Sequence, residues 1–237
     1  IGIILFITKS KVFIIKKVSI LGNPIMSGED VKEKTQYLIG ENIFFMKTSD
    51  IIKAAEQNPY VKTVEINKAY PRQVNIKITE KQGIFCSEKD GQYYIFSDKG
   101  VLLEKADNID NRNLIQILGL DEHVGSLELG DSVGTNQRMI NVLEVFSQIE
   151  EVNPTNYKID SIDLSDFMNI KVYIGGVEGR LGNDENIPDK MNKLMHIVEN
   201  TEIGIEKGYV DVGFDGSPIY YKEEVKNEEG NIKNEGV

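Results

Sequence analysis

Two alternating segments on either side of a Tyr70-Pro71 dipeptide constrain the fold more than any other feature of this sequence. Alternation with period two places one face of a strand in a hydrophobic core and the other face in solvent. The apolar positions are Val64 and Ile66 before the dipeptide and Val74, Ile76 and Ile78 after it. A Tyr-Pro dipeptide between such segments indicates a turn. The sequence therefore predicts two strands joined by a turn, each with one buried face.

Upstream of these strands, the sequence predicts a strand followed by a short helix. Residues 12–21 carry β-branched and aromatic side chains and end at Gly22, which favours a long strand closed by a turn. Ser27 lies three residues before Asp30, close to a capping arrangement, and Gly40 is placed to end the helix. We therefore expect a short amphipathic helix that Ser27 caps.

A second helix completes this part of the chain. It begins at Thr48 or Ser49 and ends near Asn58, because Pro59 disfavours helical geometry in the residue before it. The order of elements over residues 12–80 is then strand, helix, helix, strand, strand. This order predicts a compact α+β domain in which both helices cover one face of a three-stranded sheet.

The remaining sequence predicts a second, β-rich domain over residues 81–221 with two helices. An apolar stripe indicates one helix over about residues 135–148, and Pro188 opens the other. Residues 222–237 are charged and almost without apolar side chains, which predicts a disordered tail. The predicted strands of this domain cover residues 84–88, 92–97, 101–104, 114–118, 159–162, 170–174, 177–181, 209–212 and 219–221.

The first residues have the pattern of the end of a membrane helix. Residues 1–7 are apolar apart from one glycine, and Lys9 and Lys11 follow closely. Seven residues cannot cross a bilayer, which takes about 20 apolar residues in a helix, but the last turns of a spanning helix have this pattern. A buried first strand is the alternative. We predict that residues 1–8 form the outer end of a transmembrane helix.

Composition and motifs argue against several kinds of function. The 237 residues include 27 Lys and Arg against 38 Asp and Glu, and a net charge of -11 repels nucleic acid. Cys86 is the only cysteine, which excludes an intramolecular disulfide, and its place in a predicted strand indicates a core thiol. His123 and His196 lack the spacing of metal ligands, and Gly175-Gly176 favours a tight hairpin over a phosphate loop. We therefore predict a membrane-tethered binding or scaffold module with no catalytic, cofactor or metal site.

Two groups of short sequence blocks, each in a fixed order, carry a resemblance to a known family. In the first domain the blocks are Val18-x-Ile20-x-Gly22-Asn23, Gly40-Glu41-Asn42-Ile43-Phe44, Asn58-Pro59-Tyr60-Val61-Lys62-x-Val64 and Tyr70-Pro71-x-x-Val74-x-Ile76-x-Ile78-x-Glu80. In the second they are Asp98-x-Gly100-Val101-Leu102, Gly179-Arg180-Leu181-Gly182, Lys190-x-x-Lys193-Leu194 and Tyr209-Val210-Asp211-Val212. Over residues 12–221 the chain thus resembles the POTRA module and the following β domain of the FtsQ/DivIB bacterial cell-division proteins.

The resemblance implies both a fold and a function. The implied fold is α+β, with a POTRA module of order β-α-α-β-β followed by a β-rich domain. Proteins of this family are single-pass membrane proteins with an extracytoplasmic body at the division septum. They are non-enzymatic hubs of the divisome that bind FtsL and FtsB/DivIC and help control septal peptidoglycan synthesis. A septal peptidoglycan synthase is a further implied partner, and neither a cofactor nor nucleic acid is expected.

The same resemblance points to a partner site along the C-terminal strands. A partner strand can add to the exposed edge of a sheet, and aromatic residues concentrate interface energy, which makes Phe214 the expected anchor. The alternative is that Phe214 fills the core beneath the last strand. At Gly213 many relatives carry Arg, so one charge contact with the partner is missing here. The partner-facing positions carried over from the family are Phe214, Gly216 and Ser217, with Ile219 and Tyr221 in the adjoining strand.

Two other functions stay open from the sequence. A POTRA-bearing transport or assembly module would use the same small domain to bind substrate strands. A wall-modifying hydrolase would need an acid/base constellation, and the acidic residues of this sequence show no spacing that fixes two carboxyl groups across a cleft.

Overall fold

Buried apolar side chains form two separate hydrophobic cores in the structure, a computed structural model that describes residues 10–120, 124–134, 137–155 and 157–223. One core lies within the first domain and the other within the β-rich domain that follows it. The predicted end of a membrane helix at 1–8, His123, the predicted helix start at 135 and residues 224–237 of the predicted tail lie outside the described residues. Lys222, the first residue of that predicted tail, is instead the last residue of a strand, so the prediction of disorder there is wrong. The predicted α+β fold, a POTRA module followed by a β-rich domain, is confirmed.

The first domain has the predicted order of strands and helices. Its three-stranded sheet has the order β1-β3-β2, with β1 parallel and β2 antiparallel to the central β3. Because β2 and β3 pair across the Tyr70-Pro71 turn, the register places Ile66 opposite Ile76. The elements are β1 (Lys17–Leu21), α1 (Gly28–Lys34), α2 (Thr48–Glu56), β2 (Val61–Ala69) and β3 (Gln73–Glu80).

Both helices of this domain pack on one face of the sheet. Val31 of α1 and Ile51 of α2 are fully buried, as is Ile76 at the centre of β3. These side chains belong to the same core, so the alternating positions of β3 face the helices. Burial of apolar area of this kind is the main favourable contribution to the stability of the domain.

The long strand expected over residues 12–21 is shorter in the structure. A 3₁₀ turn occupies Lys11–Phe13, and β1 begins only at Lys17. Between them, the Ile15 N–H donates to the Glu41 carbonyl at 2.9 Å, and the Gly40 N–H donates to the Ile15 carbonyl at 3.0 Å. The backbone before β1 therefore pairs with the loop after α1 instead of with the sheet.

The second domain is built on one nine-stranded sheet of order β12-β11-β10-β9-β8-β7-β4-β5-β6. Its strands are β4 (Phe85–Lys89), β5 (Gln92–Phe96), β6 (Leu102–Ala106), β7 (Ile115–Leu118), β8 (Ser161–Asp163), β9 (Ile170–Ile174), β10 (Gly176–Gly182), β11 (Lys207–Asp211) and β12 (Ile219–Lys222). Its helices are α3 (Gln137–Val152) and α4 (Ile187–Val198). The sheet therefore has two edge strands, β6 and β12.

Helices α3 and α4 contribute the apolar residues that complete this core. Phe146 of α3 and Leu194 of α4 are fully buried together with Val172 of β9. Helix α4 lies so close to β10 that a Cβ atom at Gly179 would overlap the Leu194 side chain. The Gly-Gly hairpin predicted between β9 and β10 is present, and it places Ile174 opposite Val177.

The first domain contacts the β6 end of the large sheet. The Tyr60 hydroxyl, at the start of β2, donates a hydrogen bond of 2.6 Å to the Glu104 carboxylate in β6. Arg112 donates two further hydrogen bonds to the same carboxylate, at 2.9 and 3.1 Å. The opposite edge strand, β12, therefore lies at the end of the sheet that is remote from the first domain.

Candidate functional site at the C-terminal sheet edge

Strand β12 is the outermost strand at one end of the large sheet, and no described residue pairs with its outer side. It pairs antiparallel with β11, which places Tyr221 opposite Tyr209 and Ile219 opposite Asp211. Ile219, Tyr220 and Tyr221 are all exposed, although each is a large apolar or aromatic side chain. An exposed apolar edge strand is a template for pairing with another chain, because its backbone groups on that side are unpaired.

The hydrogen-bond pattern shows which backbone groups of β12 point away from the sheet. The Glu223 N–H donates to the Lys207 carbonyl at 2.9 Å, so these opposite residues form a hydrogen-bonded pair. In an antiparallel pair of strands, every second residue has its N–H directed at the neighbour. The Ile219 and Tyr221 N–H groups therefore face β11, and those of Tyr220 and Lys222 face outward.

The side chains on the outer face of the sheet form a row that leads to this edge. The Arg180 guanidinium lies over the Tyr209 ring, 3.8 Å from its centroid, and the Tyr209 and Tyr221 rings stack at 5.8 Å. Arg180 also donates a 2.6 Å hydrogen bond to Glu178, which raises the pKa of the guanidinium. Tyr221 is thus held by a neighbouring ring while its outer side stays exposed.

The loop between β11 and β12 carries the other predicted partner-facing positions. Phe214, Gly216 and Ser217 are all exposed, and Phe214 has 42% of its surface accessible. The Phe214 side chain does not belong to the buried core of the domain, so the alternative in which it fills that core is wrong. A Cβ at Gly216 would lie 3.3 Å from the Phe214 ring, and glycine therefore leaves room for that ring. All five predicted positions lie in this loop and in β12.

Two features of the site could not be found in the sequence. Gly208 in β11 has φ +134°, and a Cβ there would overlap the Tyr221 carbonyl oxygen, so only glycine lets β12 approach at this point. Tyr220 offers an outward N–H, and the direction of that N–H follows from the register between β11 and β12. A sequence pattern gives the alternation of a strand and does not give its register.

The other edge strand, β6, is covered at its start by the segment 130–133. The Leu102 N–H donates to the Asp131 carbonyl at 2.7 Å, and the Gly130 N–H donates to the Leu102 carbonyl at 2.8 Å. The Glu104 side chain further along β6 is held by Tyr60 and Arg112. Of the two edges, β12 is therefore the one along which no described backbone group takes an outer partner.

The described residues offer little for catalysis or metal binding. They hold no group of three or more His, Cys, Asp or Glu side chains that could bind a metal ion. Cys86 is 1% exposed, and burial, together with the nearby Glu88, raises the pKa of its thiol to about 11. The predicted role of Cys86 as a core thiol agrees with this placement. In the same part of the chain, every helix is too short or too polar to cross a membrane.

Comparison with known proteins gives consistent matches over both domains. Residues 13–81 match the model of the POTRA domain, FtsQ-type, and residues 86–212 match that of the cell division protein FtsQ/DivIB, C-terminal. The cell division protein DivIB of Clostridium acetobutylicum is 31% identical over 210 residues, which are 88% of this chain and 82% of that protein. DivIB of Clostridium botulinum (strain Hall) is 29% identical over 213 residues, 89% of this chain and 82% of that protein. The cell division protein FtsQ of Myxococcus fulvus is 22% identical over 148 residues, 62% and 51% of the two chains.

Proposed function

Because this chain belongs to the FtsQ/DivIB family of cell-division proteins, we propose that it is a non-enzymatic divisome scaffold whose β12 edge binds a partner strand. The partners are the division proteins FtsL and FtsB/DivIC. Through them the protein helps to control septal peptidoglycan synthesis, and a septal peptidoglycan synthase is a further partner. A role in cell division is common to the relatives that the chain matches.

The proposal includes a location at the division septum. Residues 1–8 are the outer end of a single membrane helix, and the two folded domains lie outside the cytoplasm. This part of the proposal is supported by the apolar run at 1–7 and by the lysines that follow it.

One observation carries the partner-binding proposal: β12 is an uncovered edge with both backbone and side-chain groups available. Strand addition needs outward N–H and C=O groups for affinity and side-chain contacts for specificity. The outward N–H of Tyr220 supplies the first, and the exposed Phe214 and Tyr221 rings supply the second. A central aromatic anchor flanked by weaker contacts is the usual distribution of binding energy at an interface.

A calorimetric titration tests this proposal. The chain is titrated with the extracytoplasmic parts of FtsL and FtsB/DivIC, first as the parent and then as Phe214→Ala. We expect saturable binding by the parent and a loss of about 2 kcal/mol in the variant, because an exposed aromatic anchor is removed. The matched control is Phe45→Ala, an exposed phenylalanine of the first domain, which should bind as the parent does.

Three outcomes would count against parts of the proposal. Absence of binding by the parent would reject the partner assignment. Equal losses in Phe214→Ala and Phe45→Ala would place the interface elsewhere. Turnover of purified peptidoglycan by the chain would contradict the non-enzymatic role.

A further inference from the structure

A cluster of aromatic side chains lies at one end of the first domain, away from the β12 edge. The Phe13 and Phe44 rings meet edge to face with centroids 5.0 Å apart, and the Phe44 and Tyr70 rings stack at 5.2 Å. Phe44, Phe45 and Tyr70 are all exposed, Phe45 with 59% of its surface accessible. We call Phe13, Phe44, Phe45 and Tyr70 the aromatic patch. Phe44, Phe45 and Tyr70 present an apolar surface that the fold of this domain does not bury, while Phe13 packs partly against the domain core.

Three chain segments are held together around the aromatic patch. The Ile43 N–H donates to the Phe13 carbonyl at 3.0 Å, which joins the segment before β1 to the loop before α2. The Lys68 ammonium donates to the Ile43 carbonyl at 2.9 Å, and the Arg72 guanidinium donates to the Val12 carbonyl at 2.9 Å. The β2–β3 turn therefore closes the same surface, and the chain enters the described structure there at residue 10.

The charge around the patch has the opposite sign to that of the chain. The segments 10–17, 39–47 and 68–73 contain one acidic residue, Glu41, although the whole chain has a net charge of -11. No salt bridge joins their basic side chains to an acid within the described ranges. The basic residues are Lys11, Lys16, Lys17, Lys47, Lys68 and Arg72.

We propose that the aromatic patch and its surrounding basic residues bind the surface of an anionic phospholipid bilayer. Phenylalanine side chains insert at the boundary between lipid headgroups and acyl chains, and tyrosine is favoured at the same depth because its hydroxyl can meet water. Basic side chains near an anionic leaflet each contribute about fivefold in affinity. The apolar run at 1–7 lies shortly before Phe13 in the sequence, so the membrane location proposed above, on which this inference rests, would bring the patch to the same surface. The inference adds a second membrane contact to the location proposed above and needs no partner protein.

Charge favours a lipid surface over a second copy of the chain. If two patches met in a symmetric dimer, each copy would bring six basic residues and one acidic residue to the same interface. Like charges placed opposite one another across an interface oppose association. An anionic surface meets the same residues with complementary charge.

A fluorescence experiment tests the proposal at the patch itself. The chain contains no tryptophan, so Phe45→Trp introduces a single reporter. With vesicles of phosphatidylglycerol and phosphatidylcholine, we expect its emission to shift to shorter wavelength and to be quenched by lipids brominated in their acyl chains. The shift should be smaller with pure phosphatidylcholine and at high salt, because it depends on charge attraction. The matched control Phe214→Trp, at the remote sheet edge, should show neither change.

A charge variant separates attraction by the patch from anchoring by residues 1–7. In the Phe45→Trp background, Lys16→Glu with Lys47→Glu should lower the affinity that the reporter measures by roughly tenfold or more. The matched reversal Lys158→Glu with Lys193→Glu, on exposed lysines of the second domain, should leave it unchanged. Circular dichroism of both variants verifies that they are folded.

Several results would overturn the inference. One is a Phe45→Trp emission that does not change when vesicles are added, whether or not flotation shows the chain bound to vesicles. A second is an equal shift at Phe45→Trp and Phe214→Trp. A third is a concentration-dependent dimer that Phe45→Ser abolishes, which would assign the patch to a second copy. Partner titrations without lipid remain a separate test, so failure here and failure of the partner proposal can be told apart.

Discussion

Glu80, the last residue of β3, organises the start of helix α1. Its carboxylate accepts hydrogen bonds from the backbone N–H groups of Ile25 at 2.9 Å, Met26 at 3.0 Å and Ser27 at 2.6 Å, and from the Ser27 hydroxyl at 2.7 Å. Burial opposes ionisation of Glu80, but these hydrogen bonds outweigh it and lower the pKa of the carboxyl group. Ser27 occupies the N-cap position of α1, as expected, but its hydroxyl donates to Glu80 and makes no capping hydrogen bond with the helix.

The hydrogen bonds of Glu80 give a prediction about stability. Replacing Glu80 by Gln removes the negative charge from the group that accepts four hydrogen bonds. We therefore expect the free energy of unfolding to fall by about 1–3 kcal/mol. Urea denaturation of both proteins measures this difference. Glu65→Gln is the control, since Glu65 and its partner Lys77 are both exposed and such pairs contribute under about 1 kcal/mol. Equal losses in the two variants would contradict the role of Glu80.

The lowered pKa of Glu80 also predicts how this contribution depends on pH. A carboxyl group with a lower pKa in the folded state stabilises the fold fully above its unfolded pKa, which is about 4.3 for Glu. That contribution is lost as pH falls through the folded pKa, which lies below this value. The stability difference between the parent and Glu80→Gln should therefore be constant near neutral pH and narrow in acid. Denaturation curves over a pH series measure it, and a difference that stays constant in acid would contradict the assignment.

At the scale of single elements, β12 matters because of where its backbone points. Its outward N–H groups at Tyr220 and Lys222 are those that a partner strand would use, while the N–H groups of Ile219 and Tyr221 serve β11. The contributions of the side chain and of the backbone N–H to partner binding can therefore be separated at Tyr220.

Tyr220→Pro and Tyr220→Ala form the pair that separates them. Proline removes the outward N–H, and an edge strand tolerates it when that N–H faces solvent. We expect Tyr220→Pro to weaken partner binding by about tenfold or more beyond the effect of Tyr220→Ala, which keeps the N–H. Calorimetric titration measures binding, and thermal unfolding verifies that β12 remains intact. Equal effects of the two variants would indicate contact by the side chain alone.

At the scale of the whole molecule, a small polar junction joins the two domains at Tyr60 and Glu104. Tyr60 is almost fully buried, and burial, followed by its hydrogen bond to Glu104, raises the pKa of its hydroxyl. The hydrogen bonds from Arg112 to Glu104, together with that from Tyr60, lower the pKa of this carboxyl group. The junction is thus a charge-assisted hydrogen bond between two domains that each have their own hydrophobic core.

The junction predicts a change in coupling between the domains. Tyr60→Phe keeps the ring and removes the hydrogen bond to a charged acceptor, which contributes about 1.5–3 kcal/mol. We expect calorimetry to show the unfolding transitions of the two domains further apart in temperature than in the parent. Tyr157→Phe, at an exposed tyrosine, is the control and should leave the transitions unchanged. An unchanged profile in Tyr60→Phe would mean that the junction does not couple the domains.

Elements whose signals are local follow from the amino-acid sequence alone. Alternation around Tyr70-Pro71, the helix stop before Pro59 and the Gly175-Gly176 hairpin depend on neighbouring residues, and the structure has β2, β3, α2 and the hairpin where these signals place them. The helices on one face of the first sheet also follow from the order of elements and the apolar positions. Local steric and hydrogen-bonding preferences, together with apolar periodicity, suffice for these features.

Features that join residues far apart in the chain depend on the three-dimensional fold. Glu80 meets Ser27 across 53 positions, and residues 14–15 leave the expected strand because the loop at 40–42 pairs with them. Which sheet edge is covered depends on the loop at 130–131, and the outward N–H of Tyr220 depends on the register with β11. The free energy of each such contact depends on the three-dimensional positions of both partners, and a one-dimensional pattern of residue types does not contain those positions.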